Sequence, residues 1–532
     1  MDEMHSFLRT ITENPEDDNP RLVFSDWLEE NGHQDRAEFI RLQIELANMD
    51  PGEDGYAGKT ARMYRTGMFT NKATMPFFDH VPNKEWKIGF RRGFIETIYD
   101  DQTRPIDDSG FDFVPLLALR TGSKLIDTFK RFTKLKWLEL YGYIGLEESP
   151  EKLLEVLGPN GWFQHLEDLS LTNLSSACLQ AGVIPQFDLP KLRNLYLYTD
   201  PFHGMGAPSA SDSGQWEVEY GDTPWDRLPE YLPKNALPNP EIALERFVWH
   251  SDDDSDFYPN GDWFWPGPGM DSLLVNLNPS RLKHVEVVVD HDDHEIGGEG
   301  IIAAPYQQNP LELSPKLEHI TIGAEDLQRI TDSPQKLKSL RIYDAYGSSD
   351  PLFTLLNQPV CSELESLVIA NRGGGWGKPQ VDPSINFTNL KSLYLAGIPL
   401  ERFANCSFPN LISLSGYNDI KIVLERQWPK LQCFTLWINR DYLSELKAFA
   451  KSDSFPNLTT LTILGYFKPE ETDFSFLANS PHMPHLGLIR IPDYPMKRNY
   501  IVDKGQFHLV RSDVLMTQLA PISPYNFTTN VF

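Results

Sequence analysis

The sequence predicts an α/β solenoid with one parallel sheet, preceded by a small helical module. Three observations predict it. A six-residue pattern, apolar-x-x-apolar-x-apolar, occurs 13 times, starting at Leu135, Leu166, Leu192, Leu244, Leu282, Leu317, Leu337, Leu364, Leu390, Leu411, Leu431, Leu458 and Leu486. Most starts lie 20 to 31 residues apart, with wider gaps around Leu244 and Leu282, and self-similarity at such a period marks stacked repeats. The chain has 532 residues, 40% of them hydrophobic, which is too long for one ordinary core but suits an array whose units pack only on neighbours. The first 48 residues, by contrast, follow a helical period.

In that N-terminal stretch, Phe7, Leu8 and Ile11 have helical spacing and stop before Asn14-Pro15. Asn19 and Pro20 can open a second helix that Gly32 ends, with Leu22, Val23, Trp27 and Leu28 as its apolar face. A third helix carries Ala37, Phe39, Ile40, Leu42, Ile44 and Leu46. Asp17, Asp18, Asp26, Glu29 and Glu30 form a carboxylate-rich group, read as helix-start charges and a solvated face. The run Asn14-Pro15-Glu16-Asp17-Asp18, with Pro20-Arg21-Leu22, Asp26-Trp27-Leu28-Glu29-Glu30, Gly32 and Asp35-Arg36-Ala37-Glu38-Phe39-Ile40-Arg41-Leu42, resembles the repeat-companion domain of planctomycete-type bacteria. Ser25 stands where that family tends to have alanine. The resemblance implies a bacterial, cytoplasmic protein with a repeat array to follow; it transfers no chemistry.

Residues 49–85 begin rich in Gly, Pro and Asp and are read as a linker. Within them Gly58-Lys59-Thr60 fails as a phosphate loop, because Glu53 replaces the glycine needed five residues earlier. Residues 86–134 are read as the N-terminal cap of the solenoid: a strand through Gly89–Tyr99, then short helices at Leu116, Leu117 and Leu119 and at Leu125, Ile126 and Phe129. Similar Arg-Gly-Phe stretches follow the companion domain in its family.

Residues 135–496 hold the repeats. An aromatic or other apolar residue often precedes the first leucine by three positions and a proline by two, as in Phe408-Pro409-Asn410-Leu411 and Trp428-Pro429-Lys430-Leu431. Proline disfavours helix in the residue before it, separating each returning segment from its strand. Strand alternation turns the fourth and sixth positions inward. The pattern resembles the leucine-rich repeat, which implies an irregular horseshoe with a parallel concave sheet; the asparagine usual after the strand is mostly missing. It also implies that the fifth and seventh positions face outward. The fifth includes Glu139, Tyr196, Glu286, Arg341, Tyr394 and Arg490, and the seventh Tyr141, Tyr198, His250, Tyr343, Tyr417 and Trp437. Tyr, Trp and Arg are enriched at binding hot spots, so these twelve are the candidate partner-binding residues.

Insertions near 201–240 and 251–271 interrupt the array with aromatics and acids, including Trp216, Trp225, Trp263 and Trp265. Residues 497–532 are read as a C-terminal cap and tail, with a hairpin through Tyr500–Val502 and Phe507–Val510.

Composition narrows the function. With 48 Lys+Arg against 75 Asp+Glu, the net charge is −27, which argues against nucleic acid or an anionic membrane as partner. Cys178, Cys361, Cys406 and Cys433 are scattered and read as free structural thiols. The richest ligand cluster, His291-Asp292-Asp293-His294-Glu295, lacks either helical metalloprotease order and follows a strand, Val285–Val289. Gly373-Gly374-Gly375-Trp376-Gly377-Lys378 lacks the first glycine of a phosphate loop, since Arg372 stands there. His482 and His485 flank Met483-Pro484, which breaks a helical pair. The expectation is therefore a non-catalytic recognition scaffold (sensor, adaptor or inhibitor) with no cofactor and no bound metal. Its partner is a protein, a basic one or a protease-type effector among the options. The alternatives are a metal-dependent hydrolase using residues 291–295, and a regulated substrate or subunit recognised through its acidic loops.

Overall fold

The computed structural model describes residues 2–51, 53–66, 87–99, 115–122, 126–141, 150–159, 161–172, 186–198, 244–253, 281–293, 298–303, 306, 308–323, 326–343, 350–370, 384–396, 398–416, 420–438, 442–465, 474–492, 497–503, 506–510 and 514–515. The chain is an α/β solenoid. It divides into two compact units, one of residues 1–119 with 382–532 and one of residues 120–381.

In the second unit, eight strands run parallel: β4 (Trp137–Tyr141), β5 (Asp168–Thr172), β6 (Asn194–Tyr198), β7 (Arg246–Asp253), β8 (His284–Asp293), β10 (His319–Gly323), β11 (Ser339–Tyr343) and β12 (Ser366–Ala370). Each begins two residues after the first leucine of its copy, and those leucines are all buried. Burying each such side chain contributes roughly 1.5–3 kcal/mol before entropy is counted. The register is locked by one repeated device. The carbonyl of position two accepts both the position-two and position-three N–H of the next copy: Glu167 and Asp168 on Lys136 at 2.7 and 2.9 Å, Glu318 and His319 on Lys283 at 2.8 and 3.0 Å.

Position two also alternates in charge. From β4 to β12 it reads Lys136, Glu167, Arg193, Glu245, Lys283, Glu318, Lys338, Glu365. Neighbours pair at 3.2 Å (Lys136–Glu167), 2.8 Å (Lys283–Glu245) and 2.9 Å (Lys338–Glu318). Facing opposite charges across strands favour this order over one that skips a repeat.

Strand β8 is longer than expected. It runs past Val289 to Asp293 and pairs antiparallel with β9 (Gly298–Ala303), so His291, Asp292 and Asp293 lie in a hairpin strand rather than a solvated turn. Its first half pairs with β10 and its second half with β9, which splits the sheet at this point.

In the first unit, β13 (Ser392–Ala396), β14 (Ser413–Gly416), β15 (Cys433–Ile438), β16 (Thr460–Gly465) and β17 (Leu488–Pro492) continue the same parallel arrangement among themselves. Antiparallel β18 (Lys497–Asp503) and β19 (Gln506–Val510) follow, forming the hairpin expected there. The prolines before the leucines serve a more specific purpose than helix breaking. The N–H of Leu411 donates to Phe408 O at 3.3 Å and that of Leu431 to Trp428 O at 3.2 Å, which puts Pro409 and Pro429 at the second position of a β-turn, where proline is favoured. The aromatics that open these turns stack in a column, Phe387 on Phe408 at 5.3 Å and Phe408 on Trp428 at 6.1 Å.

The N-terminal helices are α1 (Asp2–Glu13), α2 (Asn19–Glu30), α3 (Gln34–Ala47) and α4 (Tyr56–Arg65). Helix α4 lies inside the segment read as a linker, and Gly58-Lys59-Thr60 is part of it. Leu8, Ile11, Phe24, Leu28, Ala37, Ile40 and Ile44 form one core with Phe94 of the hairpin β1 (Lys87–Arg91) and β2 (Phe94–Tyr99). The face of α2 differs from expectation: Leu22 and Val23 are exposed, whereas Arg21, Phe24, Ser25 and Leu28 are buried. The cause is Glu96 on β2. Its carboxylate accepts from Arg21 Nη2 at 2.8 Å, and the same guanidinium donates to Pro15 O and Asp17 O. Arg92 bonds Glu16 O at 2.8 Å, while Arg36 donates to Gly93 O and lies over the Phe94 ring. Gly93 has φ +83 and its absent Cβ would sit 2.4 Å from Ile40. The acids of this module are engaged structurally: Asp17 accepts from Asn19 N, and Arg41 pairs with both Asp26 and Glu29.

Leu116, Leu117 and Leu119 belong not to a helix but to the approach and body of strand β3 (Ala118–Gly122), which pairs with β2. The expected helix does form at Ile126–Phe129. Cys361, Cys406 and Cys433 are free thiols, and Cys178 lies outside the described residues.

Candidate functional site

Alternation along each strand sends positions four and six to the leucine core and positions three and five to the opposite, open face. In the second unit this face carries a buried polar ladder. On β5 and β6, Asp168 Oδ1 accepts from Asn194 Nδ2 at 2.8 Å and from the Tyr196 hydroxyl at 3.5 Å. On β7, Arg246 donates to Tyr196 Oη at 3.3 Å and to His284 Nδ1 at 3.1 Å. With Nδ1 accepting, the proton of His284 sits on Nε2, 3.4 Å from Glu286. Glu286 then accepts from Arg341 Nη1 at 3.1 Å to each oxygen. Between them on β10 stands Thr321, small enough for the Arg341 side chain to cross.

Tyr196 and Glu286 are fully buried, and His284 nearly so. Burial, reinforced by Arg246, lowers the His284 imidazole to about 3, against the pull of Glu286. His319, stacked on His284 at 5.5 Å, falls to about 4, again chiefly by burial. Asp168 is pushed up to about 7 by burial, with Asn194, Arg246 and Tyr196 opposing. A neutral imidazole is therefore held between a cation and a carboxylate, and the ladder's charges are matched along its length.

The twelve candidate residues take different places. Tyr196, Glu286 and Arg341 are members of the ladder. Glu139 ion-pairs Arg120 at 3.3 Å and accepts from Thr172. Tyr343 is buried against Val288 and Ala370. Tyr394 stands half-buried on β13, among Ser392, Ser413 and Ser415 of the open face. Arg490 on β17 lies beside Tyr64 of α4. Tyr141, Tyr198, His250 and Trp437 hold their strand positions, with side chains outside the described residues, as is all of Tyr417. Asp168, Asn194, Arg246, His284 and His319 were not among the candidates. All five occupy position three, and a polar run at that position in consecutive copies is the signal that marks them.

The side chains of His291, Asp292 and Asp293, and all of His294 and Glu295, lie outside the described residues, as do residues 201–240, 254–271 and 373–378. Among the described residues no group of three or more His, Cys, Asp or Glu is placed to hold a metal ion, and no helix is long and apolar enough to cross a membrane.

No protein-family profile matches the sequence, and no characterised protein matches it by sequence. Among solved structures, a chain from a Drosophila Toll–Spatzle complex is similar at a TM-score of 0.24 and 13% identity. The match covers 72% of this chain, which spans 44% of that one.

Proposed function

We propose that this protein is a non-catalytic recognition scaffold that binds a protein partner through the open face of its parallel sheet. The observation that supports the reading is the surface around Tyr394. There a half-buried tyrosine shares the open-face positions of β13 and β14 with the short hydroxyl side chains Ser392, Ser413 and Ser415, and tyrosine is among the residue types enriched at binding hot spots. In the second unit the same face is given over to the buried ladder, whose matched charges suit rigid architecture better than contact with a partner. Sensor, adaptor and inhibitor are all roles such a scaffold serves, and the net charge of −27 favours a partner with a basic surface. We read the first 48 residues as a repeat-companion module, a reading supported by the structural use of its motif residues Arg21, Arg36 and Asp17.

The test is quantitative capture from cells of the source organism with wild type, Tyr394→Ala and Tyr343→Phe. A partner recovered by wild type and Tyr343→Phe, and lost with Tyr394→Ala, is the expected result. Equal recovery by all three proteins removes Tyr394 from the site.

A further inference from the structure

The residue just before the first leucine of each copy, position zero, does not share the charge alternation of position two. Through the second unit it reads Lys134, His165, Lys191, Ala243, Arg281, Lys316, Lys336 and Glu363, six basic residues and one acid in a chain of net charge −27. The first three each hold the third place of a β-turn. Leu135 N–H closes its turn on Phe132 O at 3.1 Å, Leu166 on Phe163 O at 3.2 Å and Leu192 on Leu189 O at 3.0 Å. The turns set these residues at the entry ends of β4, β5 and β6, with Lys134 and Lys191 exposed and His165 half-buried.

The three groups act on one another. Lys191 Nζ lies 2.8 Å from His165 Nδ1. An ammonium only donates, so Nδ1 accepts and the ring is neutral, with its proton on Nε2. Burial, then the charges of Lys191, Lys134 and Lys136, hold this imidazole below its ordinary range. Residues 130–136 bring Lys130, Arg131, Lys134 and Lys136 to this end of the unit without a single carboxylate. Glu167 is already paired with Lys136 at 3.2 Å. Among the described residues, neither Lys134 nor Lys191 pairs with a carboxylate. Cations gathered in this way repel one another. Two residues further along the strands, alternation at position two avoids that cost; position zero incurs it, and an anion bound at this edge would remove it.

We infer that the strand-entry edge of β4–β6 is a docking site for a short acidic segment of a protein partner, whose carboxylates accept from Lys134 and Lys191. Strands about 4.8 Å apart put these two residues roughly 10 Å from each other along the backbone row, the span of about three extended residues. Salt screens charges beyond about 8 Å. A short segment therefore meets these cations with little of the chain's overall negative field, whereas a nucleic-acid strand would run on into it. This site shares no residue with the Tyr394 surface, so either stands if the other fails.

Fluorescent octaglutamate is titrated against the full chain, against Lys134→Glu with Lys191→Glu, and against Lys430→Glu with Lys451→Glu. The last pair makes the same change in net charge at exposed lysines elsewhere. Anisotropy should show the first variant weaker than wild type by about tenfold or more and the second within about twofold. Wild-type binding should fade as salt rises from about 0.05 to 0.3 M. Undiminished binding to the first variant, equal weakening in both, or no binding to wild type at low salt overturns the inference. Tighter binding of a single-stranded oligonucleotide of equal charge overturns it too, since the edge is then a nucleic-acid site. Lys134→Gln with Lys191→Gln keeps the fold in view: octaglutamate binding should fall while the urea midpoint stays level or rises. A lowered midpoint means the two lysines hold the fold together and are not cations kept for an anion.

Discussion

Acid should weaken the second unit through His284, by an amount the structure allows to be worked out. Its imidazole is buried between Arg246 at 3.1 Å and Glu286 at 3.4 Å, with His319 stacked on it and Arg341 on the far side of Glu286. Its folded pKa of about 3 lies below the unfolded value, roughly 6.5. The unfolded chain therefore binds the extra proton, and stability is full above about pH 6.5 and falls as pH drops towards 3. At pH 5 the loss from this one group is about 2 kcal/mol, at about 1.4 kcal/mol per pH unit. His319, shifted the same way and half-buried, adds to the slope. Asp168, with a folded pKa of about 7, works in the opposite sense, adding stability over the same range as it takes up a proton in the folded state. The wild-type urea midpoint carries both, so the test is the difference between proteins. His284→Asn should change the pH slope by about one proton relative to wild type while lowering stability at pH 7. An unchanged slope in His284→Asn would refute the assignment of a neutral, buried imidazole here.

Three further outcomes are expected. Glu245→Lys sets like charges beside Arg193 and Lys283 and should cost about 0.5–1 kcal/mol, relieved by salt. Swapping the pair with Lys283→Glu should not restore it, because the swapped residues then face Arg193 and Glu318; full recovery in urea titrations would mean isolated pairs rather than a ladder. Arg21→Met removes the shorter of the ion pairs to the buried Glu96 carboxylate, leaving Arg92 at 3.5 Å, and should lose about 3–5 kcal/mol by thermal unfolding, partly regained with Glu96→Gln. Gly93→Ala forces a side chain into φ +83 and against the backbone of Ile40, and should cost about 3 kcal/mol or more in the same assay.

The repeating strands were legible because the leucines that mark them must be buried to hold the fold, so Leu135 through Leu486 place every parallel strand from β4 to β17. Strand β3 escaped because Thr121 occupies the sixth position, and Leu116-Leu117-Ala118-Leu119 then reads as helical. Helix α4 escaped for a different reason. Its local propensities are weak, and it is held by packing on α3 and on residues beyond 430. At the open face, alternation tells which way Tyr196 and Glu286 point but not that they are covered. Hence hot-spot residue types looked available for binding where they are instead tied to Asp168, Arg246 and Arg341. Aligning position two across copies would have exposed the charge alternation from sequence alone.

The packing of Tyr64 on Gly487 joins residues 423 positions apart. On a ribosome adding about 5–20 residues per second, the first is made roughly 20–85 s before the second. Until then the nascent chain has α3 for one side of this helix, while the side that carries Ala61 and Tyr64 waits for the glycine and strands made at the end of synthesis. The N-terminal body can fold early around Phe24 and Ile40, but its fourth helix is completed last. Chaperone engagement during translation is accordingly expected to centre on that segment, and to be released once residues near Arg490 emerge.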